Sequence, residues 1–235
     1  ATSYWVAESG AITESQAAFD QVSMSPKTVG SMSDISRKML LQSSMDVESF
    51  VRNDLATSLA LAIDSAAING SGSSNQPTGV LNTSGIGSVV GGTNGAAPDW
   101  ADIVDLESAV AIDNADMGAL GFLTNAATRG KLLQTEKASG TAQYVWSDSN
   151  TLRGYNAAVS NQVPSNGTKG TGTALSSMVF GNWNDLIIGT WGGIDINVDT
   201  STGSASGTVR VVALQDVDIA VRHAESFAAM TDIIT

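Results

Sequence analysis

The sequence predicts an α+β fold, and three observations carry that prediction. Apolar residues recur at four-residue intervals over Val47, Val51, Leu55, Leu59 and Ile63, the mark of one long amphipathic helix. The last third is a series of short β-branched runs divided by Gly and Asn-Asp turns. The order of segments is ribbon, long helix, mixed middle, then strands, which is not the regular alternation that builds a parallel sheet.

Residues 1–35 read as extended. Trp5-Val6-Ala7-Glu8 forms a strand before a polar tip over residues 9–16. Phe19, Val22 and Met24, then Val29, Met32 and Ile35, alternate with Ser, Thr and Gln as the two sides of a long β-ribbon, with a break at Pro26-Lys27. Ile35-Ser36-Arg37-Lys38-Met39-Leu40-Leu41 reads as a short helix opened by Ser33 or Asp34. Asp46 is the expected N-cap of the long helix, with Glu48 in the first turn where the helix dipole favours an anion. Phe50, Ala62 and Ala66 fill out its apolar stripe, while Arg52, Asn53, Thr57, Ser58 and Ser65 stay wet. Asn69-Gly70 stops it, with Gly70 expected in the left-handed conformation. About two dozen residues at 1.5 Å each make a rod of roughly 35 Å.

Residues 82–98 are rich in Gly, Ser, Thr and Asn and read as a loop or boundary. Pro98-Asp99 opens a second long helix, with Ile103, Leu106 and Val110 inward and Asp102, Asp105 and Glu107 wet. Gly121-Phe122-Leu123-Thr124 is a short strand, residues 125–133 a third helix, and residues 135–151 a loop interrupted by Tyr144-Val145-Trp146. Strands follow at 178–180, 186–189, 194–199, 209–214 and 217–222, with a flexible loop at 201–207. No internal repeat or heptad is present.

The chain has 235 residues, 42% hydrophobic and only 14% charged. That builds a core of one large domain or two subdomains, with a surface well short of the usual quarter of charged residues. A face rich in Ser, Thr, Asn and Gly suits coverage by neighbours, and simple compositional bias accounts for the low charge equally well. Net charge is −12, and the eleven Lys and Arg are scattered along the sequence without a basic run. Displacing counterions from phosphate needs clustered cations, so tight nucleic-acid or anionic-membrane binding is not expected. With no Cys, disulfides, thiolate zinc sites and thiol catalysis are excluded. No apolar run is long enough to span a membrane. Ala1 stands where Met would begin a fresh translation product, so the chain reads as a trimmed or processed piece.

The motifs that carry chemistry fail one by one. Asp195-x-Asn197-x-Asp199 begins like a calcium loop, but Thr200 replaces the glycine and Ser206 the closing glutamate, and Ile194, Ile196 and Val198 alternate as in a strand. His223 is the only histidine, with Asp216 and Asp218 nearby in sequence. No G-x-S-x-G elbow accompanies it, so it reads as a surface or interface residue. Gly85-Ile86-Gly87 lacks the third glycine of a dinucleotide loop, and Thr168-Lys169-Gly170 has the wrong spacing for a phosphate loop. Most of the carboxylates Asp46, Asp54, Asp64, Asp102, Asp105, Asp113 and Asp116 fall on helical polar faces or near helix starts and read as solvated, with paired acids for glycoside hydrolysis as the alternative. No residue is assigned as catalytic, cofactor-binding or metal-ligating, and no cofactor is expected.

What remains is architecture, and its pieces resemble in order the major capsid proteins of tailed bacteriophages, the Hong Kong 97-type fold. Trp5-Val6-Ala7-Glu8 with Phe19 and Pro26-Lys27 is similar to the family's extended loop. Ile35 to Leu40 resembles the turn before its spine helix, and Asp46-Val47-Glu48 with Leu55, Ala60 and Asp64 resembles the spine helix itself. Asn69-Gly70-Ser71-Gly72 followed by Gln76-Pro77-Thr78-Gly79-Val80-Leu81 is similar to the glycine signature closing that helix, and is the most specific piece. Phe122-Leu123-Thr124-Asn125 with Leu132-Leu133, Thr151-Leu152-Arg153-Gly154-Tyr155-Asn156 with Val163-Pro164, and Phe180-Gly181-Asn182-Trp183 resemble later elements. Residues 209–220 resemble the strands that rejoin the peripheral domain.

The resemblance implies an extended-loop ribbon over 1–35, a peripheral domain with spine helix over 36–82, an axial domain over 83–205, and C-terminal strands rejoining the peripheral domain over 206–235. It implies a non-enzymatic subunit of an icosahedral head, assembling with itself into pentamers and hexamers around double-stranded DNA without sequence-specific binding and without a membrane. A scaffold segment, a head protease and a portal are the further partners it implies, with assembly in the bacterial host cytoplasm and residence in the virion. Family members carry an N-terminal arm before the point where this chain begins. Some relatives form Lys–Asn cross-links from a lysine on the extended loop, but residues 8–16 hold no lysine and the nearest is Lys27, so no such cross-link is expected. An encapsulin-like nanocompartment shell is the alternative within the fold. A hydrolase using acidic residues or His223 is the remote one, and a surface adhesin, suggested by the Ser/Thr/Gly/Asn-rich loops, has the long amphipathic helix and the absence of repeats against it.

Overall fold

A helix with one apolar stripe needs an apolar surface to lie on, and three long strands supply it. The computed structural model describes residues 3, 5–12, 14–16, 21–42, 46–147 and 149–235. Strand β1 (Lys27–Ser36) leads through helix α1 (Arg37–Gln42) to helix α2 (Val47–Asn69). Next come β2 (Gly87–Ser88), α3 (Trp100–Ile112), β3 (Leu120–Thr124), α4 (Ala126–Leu132), β4 (Thr151–Leu152) and β5 (Tyr155–Val159). The chain ends with β6 (Gly167–Lys169), β7 (Gly172–Asn182), β8 (Leu186–Asp199), β9 (Thr208–Val221) and β10 (Phe227–Ile233). They form two sheets.

The first sheet has the antiparallel order β1-β9-β8. Val211 and Ala213 of β9, Ile35 of β1, and Val47, Leu55 and Leu59 of α2 bury one another, with Val51, Ile196 and Val198 at the margin. Period two in the strands and period four in the helix meet at this seam. Lower down, Ala66 and Ala67 of α2 close on Ile219. Met32, Leu214 and Trp191 stay largely exposed, 60%, 42% and 40%. Their register partners put them on the sheet face away from α2.

The second sheet runs β2-β10-β7-β3-β5-β4, with β6 on β7. It is mixed, because β3 pairs β5 and β10 pairs β2 in parallel while the other pairs are antiparallel. Its core joins Ile103, Leu106 and Val110 of α3 to Phe122, Met178, Phe180 and Met230. Phe180 packs against Phe122 with tilted rings 4.4 Å apart and meets Tyr155 edge-on at 5.2 Å. Asp99 and Asp102 close a capping box at the start of α3, each side chain accepting the other's backbone N–H at 2.9 Å. Asn125 caps α4 through Thr128 N at 2.8 Å.

Several sequence expectations need correction. Among the described residues no strand precedes Lys27; Trp5-Val6-Ala7-Glu8 is not one, and Gly10 N bonds back to Ala7 O in a turn. Phe19 lies outside the described residues. The short helix begins at Arg37, two residues late, because Ile35 and Ser36 complete β1 against Val209 and Thr208. Its cap is Ser36, whose Oγ accepts Met39 N at 3.2 Å. Phe50 is 61% exposed and is not part of the buried stripe. The runs at 186–189 and 194–199 are one strand, β8, with a register shift between Trp191 and Asp195, and those at 209–214 and 217–222 are one strand, β9. Glu107 is less wet than expected, since Arg153 pairs with it at 2.5 Å.

Candidate functional site

Where enzymes concentrate chemistry in a cleft, this chain concentrates constraint at a corner and leaves apolar side chains on its surface. The corner is the loop over residues 70–79 that closes α2. Asp46 holds the other end of that helix, accepting Ser49 N at 3.2 Å. Gly70 does not take the expected left-handed conformation: its φ is −58°, and the left-handed glycine is Gly72 at φ 68°. Gly70 is needed for space. A Cβ there would lie 2.2 Å from Pro77 O and 2.5 Å from Ala66 O, and one on Gly79 would lie 2.4 Å from Gly70 N. The loop doubles back on the helix end through Gly79 N to Gly70 O at 2.9 Å and Gly72 N to Pro77 O at 3.1 Å. Asn82 reaches across, its Nδ2 donating to Gly70 O at 3.0 Å. Ser73, Ser74, Asn75 and Gln76 at the tip are exposed, and with Ala62, Ile63 and β1 they border an open cleft of about 390 Å³.

Ion pairs fasten segments distant in sequence. Lys27 donates to Asp218 at 2.8 Å, and Ser25 N reaches the other carboxylate oxygen at 2.8 Å. Burial pushes Asp218 up, but these bonds and that from Ile219 N outweigh it and hold the carboxyl below its ordinary range. Asp185 lies between β7 and β8 where the chain passes from one sheet to the other. Its side chain is buried, accepting from Arg222 at 2.5 and 2.9 Å and from Asn182 at 2.9 Å. Burial raises it, yet hydrogen bonds from Ser226, Arg222 and Asn182 win and its pKa is lowered. Asp232, buried in β10, takes Lys169 at 2.6 Å and Gly91 N at 3.1 Å. Arg210 grips Asp34 with two bonds of 2.8 and 2.9 Å across β1 and β9, lowering the Asp34 carboxyl.

The groups singled out in the sequence for possible chemistry are placed as follows. His223 is exposed at the end of β9, and its side chain makes no hydrogen bond among the described residues. Asp216 accepts Thr28 at 2.5 Å and Asp218 is held by Lys27, so neither carboxylate orients the imidazole. Asp195, Asn197 and Asp199 sit on one face of β8, with Asp199 capping the β8–β9 loop through Ser201 N at 2.7 Å. Gly87 is in β2, where a Cβ would press on Ala228 and Ala109, so it serves close packing. Among the described residues no cluster of three His, Asp or Glu side chains is placed to hold a metal ion, and no helix is long and apolar enough to cross a membrane.

The exposed apolar side chains are what sequence reading missed. Met39, Leu40 and Leu41 on α1, Phe50 and Leu61 on α2, and Ile187, Ile188 and Ile194 on β8 stand 37–74% exposed. A monomer that must stay alone keeps such patches small. The available signal was negative, the 14% charge content, which leaves few groups to shield them.

Comparison with known proteins agrees with this picture. A model of the family described as "Phage capsid family" matches residues 1–232. The major capsid protein of Halomonas phage phiHAP-1 is 34% identical over 225 residues, covering 96% of this chain and 35% of that protein. That of Klebsiella oxytoca phage phiKO2 is 25% identical over 257 residues, covering all of this chain and 58% of that protein. The chain therefore spans between a third and three fifths of the length of these curated relatives. Among solved structures, the capsid of an empty GTA particle aligns with a TM-score of 0.77 and 23% identity over 99% of this chain and 81% of that one. A structure from Mycobacterium phage Ogopogo aligns at 0.73 with 16% identity, covering 98% and 83%. The holo-SrpI encapsulin complex of Synechococcus elongatus PCC 7942 aligns at 0.64 with 14% identity, covering 88% and 74%.

Proposed function

Because the chain belongs to the phage capsid family, we propose that it is a structural, non-enzymatic subunit of a phage or prophage head. The observation that carries this reading is the match of the whole two-sheet arrangement, in order, to capsid subunits, together with 34% identity to a major capsid protein. Physical chemistry supports it independently. A 23-residue helix clamped to a long antiparallel sheet makes a stiff plate, and the ion pair of Arg222 with the buried Asp185 carboxylate pins the chain where it crosses between sheets. Asp216 and Asp218, the carboxylates near His223 in sequence, are held by Thr28 and Lys27.

The α2-backed sheet β1-β9-β8 corresponds to the peripheral domain of such subunits, and the seven-stranded sheet with α3 and α4 to the axial domain. We assign β8 to the former and β10 to the latter by the sheet that each belongs to, and so draw the boundary by sheet and not by a single cut in sequence. Copies assemble into pentamers and hexamers that enclose DNA, with a scaffold segment, a head protease and a portal as partners and the host cytoplasm as the place of assembly. A net charge of −12 suits a wall that retains DNA mechanically without gripping it.

An encapsulin-like shell is the second reading, favoured by the 0.64 alignment, but the curated relatives are phage head proteins and the phage reading fits better. The test is to purify particles from the source and identify their contents. DNA-filled heads whose most abundant protein yields peptides of this chain support the phage reading. Particles enclosing a protein cargo and no DNA would replace it with the encapsulin one.

A further inference from the structure

Helix α1 is six residues long, Arg37-Lys38-Met39-Leu40-Leu41-Gln42, and buries none of them. Met39 is 55% and Leu41 74% exposed. Such a helix has no stability of its own, because short helices form only when packing supplies what propensity cannot. Arg37 and Lys38 also sit in its first turn, where the helix dipole repels cations. The backbone nevertheless fixes it firmly. Arg37 N bonds to Gly207 O at 2.8 Å, and Ser36 caps the first turn. A presented helix with apolar and basic side chains outward is built to be covered.

The exposed stripe of α2 has the complementary chemistry. Phe50, Asp54, Thr57, Leu61 and Asp64 follow helical spacing along one outward line. Among the described residues, Arg37, Lys38, Asp54 and Asp64 take part in none of the ion pairs. On α1 the cation precedes the apolar residue by one turn, Arg37 to Leu41. On α2 the apolar residue precedes the anion by one turn, Phe50 to Asp54. Two such segments match when they run antiparallel, with Leu41 on Phe50 and Arg37 beside Asp54.

We infer that α1 of one copy docks antiparallel on the Phe50–Asp54 turn of α2 in a second copy. Because α1 and this turn lie next to each other in the chain, a two-fold arrangement makes the contact twice, each copy giving and receiving α1. The contact rests on the shell-subunit reading, and it defines where and in which register two copies meet.

The absence of cysteine makes the test direct. Single-cysteine variants Leu41→Cys and Phe50→Cys of the full-length protein are mixed, assembled, oxidised and run on a non-reducing gel, with electron microscopy of the same samples. The expected result is a 41–50 cross-linked dimer, with little from either variant alone or from Leu41→Cys with Leu61→Cys, which lies about 16 Å further along the helix. Asp54→Lys in the Phe50→Cys partner lowers the cross-linked fraction at least about tenfold, and Arg37→Glu with Lys38→Glu in the other partner restores it. Shells without the 41–50 dimer, or with the 41–61 dimer instead, overturn the docking and leave the shell reading standing. The 41–50 dimer without shells supports the docking and counts against the shell reading. Neither product overturns both.

Discussion

Replacing Gly70 by alanine asks one methyl group to enter a space closed by backbone. The new Cβ would stand 2.2 Å from Pro77 O and 2.5 Å from Ala66 O, and neither atom is the free end of a side chain. Relief requires the loop over residues 70–79 to lift from the end of α2. That breaks Gly79 N to Gly70 O and Gly72 N to Pro77 O, now 2.9 and 3.1 Å long. Two hydrogen bonds at about 1 kcal/mol each, with about 1–3 kcal/mol for overpacking, give a loss of about 3–5 kcal/mol. For a chain of this size that lowers Tm by roughly 6–20 °C. Gly193→Ala is the matched comparison, since its Cβ meets nothing within 4 Å and its φ is not positive. It should change stability by no more than about 0.5 kcal/mol. Urea denaturation followed by circular dichroism measures both. Equal stabilities of the two variants would refute the argument that Gly70 is required for space.

Other outcomes follow from the same structure. Phe180→Ala, which empties the centre of the aromatic cluster with Phe122 and Tyr155, should cost about 3–5 kcal/mol in the same assay. Asp185 and Asp218 have pKa values lowered below 3.8, so each contributes stability that is fully present above that value and lost as pH falls through the lowered one. Denaturation curves taken from about pH 5 downward should therefore show an acid limb that is shallower in Asp185→Asn and Asp218→Asn; an unchanged limb in both variants contradicts the assignment. At neutral pH Asp218→Asn should cost about 1–2 kcal/mol, less than a fully buried pair because Lys27 keeps 26% of its side-chain surface. Lys27 is also occupied by Asp218, so intact-mass and peptide analysis of assembled particles should find no Lys–Asn isopeptide ladder.

The parts of the fold legible in the sequence are those whose signal is local. Asp46 before a four-residue apolar repeat locates α2, and Pro98-Asp99 with Asp102 locates α3, because caps and stripes are written within a few residues. Strand β10 was missed. Phe227-Ala228-Ala229-Met230 is buried on both sides between β2 and β7, so it has no alternation to read and little β-branching. Strands β8 and β9 read as two runs each because Gly192-Gly193 and Gln215-Asp216 interrupt the β-branched pattern. In the fold the first pair falls in the register shift of β8, and Asp216 is held by Thr28 of β1, 188 residues away. Gly70 was recognised as necessary, but its reason lies in Pro77, a tertiary contact that spacing does not show. The exposed side chains of α1 and α2 were invisible for the same reason, since the apolar pattern alone does not say which residues another copy must cover.

Electron microscopy of the full-length protein, expressed together with its neighbouring head genes, tests the shell account most directly. The account predicts closed particles built of pentamers and hexamers, in which each subunit's density holds both sheets, with the α2-backed sheet toward the capsomer rim and the seven-stranded sheet toward its centre. Monodisperse monomers under every assembly condition would contradict it.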